Sequence, residues 1–360
     1  MALGLTSLFS QQPAPLIGLD VSSSSIKLVE LDRGRSGEFE LERCALELLE
    51  PDWIADGDIK NFDAVAEAVR RTVKKSRTKA RNVAMAMPAS VVISKKIVLP
   101  RDLNEREMEV QVEMEANQYI PFSLDEVSLD FCVMGPSRAS PDDVDVMIAA
   151  SRREKVEDRQ ALAEAAGLVP TVMDVETWAA RLAAQRLVRM LPDADEETVV
   201  ALFELGANVS GMQVFRGETM LYEREQVFGG AQLTQMLAHQ YGFTLQEAEA
   251  KKRSGELPPD YGSAVLQPFV TTLAEQVDSA LKLFFSSTPN NRVDQIFLAG
   301  GSAGLTGLPA AVTQATSFPC GVVDPFGGMD IGRGVRARQL ERQAPSYLTA
   351  CGLAMRRFYP

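Results

Sequence analysis

The stretch "LIGLDVSSSSIKLVELD" (residues 16–32) decides the fold, because it joins two apolar, strand-like runs through four consecutive serines. Asp20 lies near the end of the first run, just before the serine loop. A tight loop of small residues after a strand lets backbone N–H groups approach a phosphate closely. A hairpin tip also needs small polar residues, so the stretch alone leaves both interpretations open.

Two later segments repeat the pattern of an apolar strand followed by a turn of small residues. They are "FELGANVSGMQV" (residues 203–214) and "IFLAGGSAGLTGL" (residues 296–308). In the first of them Glu204 precedes the turn much as Asp20 does, and a carboxylate beside a phosphate loop commonly holds Mg²⁺ through water. Strand-turn-strand hairpins that open each half of the chain predict a duplicated α/β architecture.

Composition excludes several classes of function. The 360 residues carry a net charge of −12, which makes binding to nucleic acid or to anionic lipid unfavourable. The four cysteines form no CxxC pair and the chain has one histidine, which indicates reduced thiols in a cytoplasmic protein and excludes a zinc cage. No run approaches the ~20 apolar residues that span a bilayer, and the N-terminus reads as a short tail without the basic region of a signal peptide.

The residues around the serine loop resemble the actin, sugar-kinase and DnaK-type superfamily of ATP-binding proteins. The first phosphate loop of that superfamily, D-x-G-[ST]-x-x-x-[KR], is matched by Asp20, Ser22, Ser23 and Lys27. The segments at residues 203–214 and 296–308 resemble its second phosphate loop and its adenosine motif. The resemblance therefore implies that the three small-residue turns surround one nucleotide.

Within that superfamily the chain resembles the PilM family of type IV pilus assembly proteins. The family pattern G-[IL]-D-[IV]-x-S-x-[SA]-[VI]-K-L-[LV]-E-L is found at residues 18–31. Further family motifs follow in order: "YIP" with an acidic stretch (119–126), "DVE" (174–176), "FGGAQLT" (228–234) and "CGLAMRRF" (351–358). The sequence has neither the long membrane-binding tail of FtsA nor the transmembrane helix of GspL, which favours PilM over these two relatives.

The resemblance implies an α/β, actin-like two-domain fold of duplicated mixed sheets, with an inserted α+β subdomain of the type found in FtsA. A β-α-β-β-α pattern at about residues 90–168 matches this insertion. We expect domain I at residues 14–192 and domain II at residues 193–345. We expect residues 346–360 to form a C-terminal helix that returns to domain I.

The resemblance also implies a site for ATP and Mg²⁺. Asp20 and Glu204 are expected to hold Mg²⁺ through water, and Glu176 is the candidate catalytic group that orients the attacking water. A structural acid at a helix start is the alternative for Glu176. The residues expected to contact the nucleotide are Asp20, Ser22, Ser23, Ser24, Ser25, Lys27, Glu204, Gly206, Ala207, Asn208, Gly229, Gly230, Glu249, Lys252, Gly300, Gly301 and Ser302.

Some of these residues carry an open question. Ser22 replaces a glycine of the superfamily loop, and serine fits there without strain only if φ stays negative. Glu204 replaces an aspartate, which moves the carboxylate by roughly one C–C bond. Glu249 and Lys252 share a helix face, where they either grip the nucleoside or form a solvated ion pair.

The family resemblance implies a cytoplasmic ATP-binding scaffold that is peripheral to the inner membrane, with slow ATP hydrolysis at most. Its expected partner is the cytoplasmic N-terminal tail of a PilN-like membrane protein, bound in a groove between the domain I core and the inserted subdomain. Other pilus components and self-association are further expectations. An FtsA-like polymerising filament protein and a small-molecule kinase or ATPase are the alternatives. The candidate apolar groove contacts, which burial in the core explains equally well, are Tyr119, Ile120, Pro121 and Phe122.

Overall fold

The computed structural model describes residues 14–34, 37–137 and 140–359, so the short N-terminal tail predicted from the sequence lies largely outside the described residues. The elements of the first half are β1 (Leu16–Val21), β2 (Ser25–Arg33), β3 (Phe39–Leu48), β4 (Ile54–Ala55), β5 (Asp58–Ile59), α1 (Phe62–Ser76), β6 (Asn82–Met87), β7 (Val92–Pro100), α2 (Glu105–Tyr119), β8 (Val127–Pro136), β9 (Asp143–Arg152), α3 (Arg153–Ala165), β10 (Val169–Val175) and α4 (Glu176–Val188).

The elements of the second half are β11 (Val199–Leu205), β12 (Ser210–Arg216), β13 (Thr219–Gln226), α5 (Gly230–Tyr241), α6 (Leu245–Ser254), α7 (Gln267–Ser287), β14 (Gln295–Ala299), α8 (Leu308–Thr316), β15 (Cys320–Val322), β16 (Asp330–Ile331), α9 (Ala337–Gln343) and α10 (Leu348–Met355). A π-helical turn, Gly262–Leu266, leads into α7. Among the described residues no helix combines the length and the apolar character needed to cross a membrane.

The two large sheets share one topology. The first has the strand order β10-β6-β1-β2-β3-β16 and the second has the order β13-β12-β11-β14-β15. In each sheet the first three strands of the half form an antiparallel meander, and two parallel strands continue from the first of them. The strand β16 adds to the edge of β3. The duplicated mixed-sheet architecture expected from the two hairpins is therefore confirmed.

The central strand β1 is buried along its whole length because helices cover both faces of its sheet. Ile17, Leu19 and Val21 pack into the core that α1 and α3 close. On the other face, α10 lies so close to Gly18 that a Cβ there would overlap the Ala350 carbonyl oxygen. The C-terminal helix is thus fixed against the strand that leads into the serine loop.

The helices α4 and α10 connect the two sheets. One apolar cluster contains residues of β2, of β11 and of both helices, so this pair of helices packs between the two halves. A second large cluster fills the other side of the second sheet under α5 and α7. The two halves, which carry the turns after β1 and after β11, therefore pack against each other through α4 and α10.

The segment between β6 and β10 forms a separate small sheet with the order β7-β9-β8. Helix α2 packs on one face of it through a core of its own, which includes Val112, Val146 and Ile148. Asn104 begins α2 with a capping box, in which its side chain accepts from the Glu107 N–H and the Glu107 side chain accepts from the Asn104 N–H. The limits of this insertion, at about residues 90 and 168, and the division of the domains near residue 192 stay predictions.

Candidate functional site

The serine loop presents two backbone N–H groups that have no partner among the described residues. Ser22 closes the loop, because both its N–H and its hydroxyl donate to the Ser25 carbonyl oxygen, at 3.1 and 3.0 Å. Among the described residues, none accepts a hydrogen bond from the N–H of Ser23 or Ser24, although both are half-buried. No residue of the loop has a positive φ, so serine replaces the superfamily glycine at position 22 without backbone strain. The loop therefore offers half-buried donors to an anion.

Asp20 and Lys27 face each other across the hairpin that carries the loop. They are register partners of β1 and β2, and Lys27 Nζ lies 2.8 Å from Asp20 Oδ2. The same ammonium donates to Ser22 Oγ at 2.7 Å. Asp20 is 8% exposed and Lys27 is 7% exposed, so the ion pair lies inside the protein. The Lys27 ammonium compensates the charge of Asp20, and the expected contact of Lys27 with the nucleotide stays a prediction.

The second small-residue turn, after β11, is braced by the glycine pair before α5. The Gly206 N–H donates to the Val209 carbonyl at 3.2 Å, which closes the turn. Gly230 donates its N–H to the Gly206 carbonyl at 3.0 Å, and a Cβ at Gly229 would lie 2.6 Å from that same oxygen. Among the described residues, the N–H groups of Ala207 and Asn208 have no hydrogen-bond acceptor. The N–H groups of Ala207 and Asn208 are thus available to a ligand. Gly229 and Gly230 pack against the backbone of the turn.

The third turn, after β14, packs against the second. Gly300 has a φ of +87°, and a Cβ there would lie 2.6 Å from the Leu205 carbonyl oxygen. Ser302 donates its N–H to that same carbonyl at 3.2 Å. A Cβ at Gly230 would lie 2.6 Å from Ser302 Oγ. The structure therefore brings the turns of the second half together, with Gly301 exposed at their surface.

Glu249 and Lys252 are less free than an exposed ion pair would be. Lys252 Nζ lies 2.6 Å from Glu249 Oε2 and donates to Thr234 Oγ1 at 2.6 Å, and Thr234 in turn donates to Glu249. Burial acts to raise the pKa of Glu249, but the hydrogen bonds from Lys252 and Thr234 outweigh it and the pKa is lowered. The pair therefore fastens α6 to the first turn of α5, directly beside Gly230.

Two carboxyl groups near the interface of the halves have raised pKa values. Burial, with the charges of Glu176 and Asp20, raises the pKa of Glu204 to about 8. Burial, with the charges of Asp20 and Glu225, raises the pKa of Glu176 to about 7. Thr349 of α10 donates its hydroxyl to Glu204 at 3.0 Å. Asp20, Glu176 and Glu204 therefore interact electrostatically, although they come from three distant parts of the chain.

The raised pKa values give a stability profile with a definite sign. Between about pH 5 and about pH 8 the folded protein holds protons on Glu204 and Glu176 that the unfolded chain has lost, so we expect the free energy of unfolding to fall as pH rises. Glu204→Gln keeps the acceptor for Thr349 and removes the ionisation. This variant should be more stable than the wild type at about pH 8, by on the order of 2 kcal/mol, and should differ little at about pH 5. Urea unfolding at both pH values measures the difference, and parallel profiles would contradict it.

The acidic cluster fits a hydrated cation. A cation near Asp20 and Glu204 would offset the burial and the neighbouring carboxylate charges that together raise the pKa of Glu204. In the part of the chain that the structure describes, no group of three or more His, Cys, Asp or Glu side chains is placed to bind a metal directly. A Mg²⁺ ion at this position would therefore keep several of its waters, as this ion commonly does.

Three contacts of the site were not expected from the sequence. Arg159 of α3 donates to the carbonyl of Val21, and Thr234 and Thr349 hold Glu249 and Glu204. The burial of Arg159 could have been predicted from the sequence, because it lies three and four residues before Leu162 and Ala163 on the apolar face of α3. The threonine contacts carry no local signal.

Comparisons with known proteins agree with this architecture. The chain matches a chain of the PilM-PilN type IV pilus biogenesis complex with 27% sequence identity and a TM-score of 0.79, over 96% of this chain and 99% of that chain. It also matches the ethanolamine utilization protein EutJ of Carboxydothermus hydrogenoformans with 16% identity and a TM-score of 0.56, over 95% of this chain and 90% of that chain. The second likeness shows the fold alone.

The duplicated sheets and the interface helices define the chain as a protein of the actin-like ATPase fold. The family model described as type IV pilus assembly protein PilM matches residues 18–358. The chain therefore belongs to the PilM family of type IV pilus assembly proteins.

Proposed function

We propose that the protein is a cytoplasmic ATP-binding scaffold of the type IV pilus inner-membrane assembly complex. It binds the cytoplasmic N-terminal tail of a PilN-like membrane protein and is peripheral to the inner membrane through that partner. The observation that supports this most is the match to a chain of the PilM-PilN complex, which covers 96% of this chain and 99% of that chain.

The nucleotide part of the proposal rests on the small-residue turns. Ser23 and Ser24 of the first half and Ala207 and Asn208 of the second present N–H groups that no described residue accepts from, and such groups suit the phosphates of ATP. Asp20 and Glu204 would hold Mg²⁺ through water, and this ion would supply the positive charge that phosphates need beside an acidic cluster. Gly301 would face the adenosine. The ion pair of Glu249 and Lys252 would lie beside it, since Lys252 donates to the Gly230 carbonyl.

Glu176 is suited to orient a water molecule or to accept a proton near neutral pH, because its pKa is raised to about 7. One of its carboxyl oxygens, Oε1, accepts from the Ala89 N–H at 2.9 Å. This bond ties Glu176 to the segment that leads into the inserted subdomain. We propose that ATP hydrolysis is slow at most, because Glu176 is the single group to which we assign the orientation of the attacking water.

The partner part of the proposal rests on the junction between domain I and the inserted subdomain. Tyr119 is 44% exposed under the Lys95 ammonium, which lies 4.5 Å from its ring centre, and Pro121 is exposed beside it. Ile120 is buried in the core of the subdomain, so core packing explains this residue. A cavity of ≈ 240 Å³ lies between the start of the inserted subdomain, the segment from β10 to α4 and strand β13 of the second half, lined by Ala89, Ser94, Val175, Thr177, Glu223, Arg224 and Glu225.

A thermal-shift titration tests the proposed partner. A synthetic peptide with the N-terminal cytoplasmic sequence of the PilN protein from the same organism is added in the presence of Mg²⁺ and ATP. A ligand at 100 times its Kd stabilises the folded state by about 2.7 kcal/mol, so the melting temperature should rise with peptide concentration. No shift at saturating peptide would contradict the proposal.

A matched pair of variants locates the peptide. Tyr119→Ala removes an exposed ring at the proposed groove, and we expect peptide affinity to fall about tenfold. Phe62→Ala removes a similarly exposed ring, 37% accessible, from the first residue of α1, and should leave affinity unchanged. Equal affinities for both variants would show that the peptide binds elsewhere.

A further inference from the structure

Arg159 is an arginine in the interior of the protein. It is 2% exposed, in the middle of α3, with Leu162 and Ala163 of the same helix face in the domain I core. A buried guanidinium is costly unless its N–H groups are satisfied and its charge is compensated. Burial lowers the pKa of Arg159, and the charges of Glu176 and Asp20 oppose that change. Arg159 therefore interacts electrostatically with two carboxyl groups of the candidate nucleotide site.

The guanidinium of Arg159 holds the start of the serine loop. Its NH1 donates to the Val21 carbonyl at 2.8 Å, and its NH2 donates to the Gly57 carbonyl at 3.4 Å. Val21 is the residue between Asp20 and Ser22. A shift of Arg159 along or across the helix axis would thus move the backbone that positions Asp20 and the first loop donors.

The N-terminal end of α3 lies at the proposed partner groove. Arg152, directly before the helix, places its guanidinium carbon 4.0 Å from the ring centre of Phe122. Arg153, the first residue of α3, donates to the Val127 carbonyl at 3.4 Å. From Arg153 to Arg159 the helix rises about 9 Å. The helix therefore joins the proposed groove, at the residue before its start, to Val21 at the entry of the serine loop, which Arg159 contacts in its second turn.

The turn that carries Gly57 contacts both α3 and the segment before β7. Lys155 of α3 lies 2.8 Å from Asp58 in an ion pair. A Cβ at Gly57 would lie 3.0 Å from Val91 Cγ1, in the segment that leads into β7. The segment that leads into β7 is thus packed against the turn whose Gly57 carbonyl Arg159 holds, and Lys155 of α3 is paired with Asp58, the next residue of that turn.

We propose that Arg159 is a positioning residue that couples occupancy of the groove at the inserted subdomain to the geometry of the first phosphate loop. This inference rests on the proposed function, since it takes ATP and the PilN-like peptide as the two ligands. A peptide that fixes the position of α3 also fixes Val21, and the loop is then ordered for phosphate. Coupling of this kind is reciprocal, so ATP raises the affinity of the protein for the peptide by the same factor.

Calorimetric titration of ATP with Mg²⁺, with and without saturating PilN-tail peptide, measures the coupling. In the wild type we expect the peptide to lower the Kd for ATP at least fivefold, the lower end of common allosteric effects. Arg159→Lys keeps the charge but cannot bridge two carbonyl groups as a planar guanidinium does. In this variant both ligands should still bind, and the ratio of the two Kd values for ATP should fall to about one.

Arg70→Lys is the matched control. Arg70 also donates to a backbone carbonyl near α3, that of Ala165 at 2.8 Å, but at the C-terminal end of the helix and at the surface. It should keep the wild-type ratio. Wild-type coupling in Arg159→Lys, or no coupling in the wild type although both ligands bind, would overturn the inference and leave the proposed function standing. Failure of the wild type to bind either ligand would overturn both.

Hydrogen exchange on the unmodified protein gives a second test that needs no variant. Peptide alone should slow the exchange of the amides from Ser22 to Ser25, because the loop becomes ordered without nucleotide. Slowed exchange at the groove with unchanged exchange in the serine loop would overturn the inference.

Discussion

Asp20→Asn is expected to lower the free energy of unfolding by about 3 to 5 kcal/mol, because it leaves the Lys27 ammonium inside the protein without its counter-ion. Lys27 is 7% exposed and its remaining side-chain partner is the Ser22 hydroxyl. The effect is a property of the ion pair, so adding Lys27→Met to the same chain should restore most of the loss. Urea or thermal unfolding of the three chains measures both steps.

An exposed ion pair supplies the control for this double replacement. Lys282 and Asp278 lie 2.6 Å apart on α7, with 74% of the Lys282 side chain accessible. Asp278→Asn should change the free energy of unfolding by less than about 1 kcal/mol. Equal costs for Asp20→Asn and Asp278→Asn would show that the Asp20–Lys27 pair is not buried in solution.

Gly352→Ala is expected to destabilise the protein by about 3 kcal/mol or more, because overpacking here pushes backbone against backbone. A Cβ at Gly352 of α10 would overlap the Ala179 carbonyl and lie 3.1 Å from the Ala179 Cα of α4. Neither contact is with the flexible end of a side chain, so the two helices would have to separate. Since α4 and α10 pack between the two halves, the loss should appear in the global unfolding transition.

Gly262→Ala separates this steric effect from helix propensity. Gly262 also lies in a helical turn, the π-helical turn that leads into α7, and a Cβ there would meet no atom within 4 Å. Alanine is favoured over glycine in helices by up to about 1 kcal/mol, so this variant should be neutral or more stable. A similar destabilisation by both replacements would contradict the close packing of α10 against α4.

The duplicated fold was predictable because its signals are local. Apolar strand runs, small-residue turns and the capping box before α2 each lie within a few residues of sequence. The Asp20–Lys27 contact is also encoded locally, since the two residues stand at matching positions on either side of a short loop. Their pairing follows from the register of the hairpin, and a contact of Lys27 with phosphates stays a prediction.

The remaining contacts of the site depend on packing between distant segments. Arg159 and Val21 are 138 residues apart in sequence, and Thr349 and Glu204 are 145 residues apart. No pattern of spacing indicates such a pair before the helices are placed. The ion pair of Glu249 with Lys252 was one of the two expected arrangements, but the additional bond from Thr234 on a neighbouring helix was not expected. Domain limits and nucleotide contacts stay predictions.

Binding of ATP with Mg²⁺, measured by calorimetry, tests the central claim most directly. The wild type should bind one ATP per chain. The Asp20→Asn/Lys27→Met protein, whose stability is restored, should bind it about 10- to 100-fold more weakly, because the group that holds the hydrated cation is lost. Gly262→Ala should bind as the wild type does. An unchanged affinity in the double variant would contradict the placement of the nucleotide at Asp20 and the serine loop.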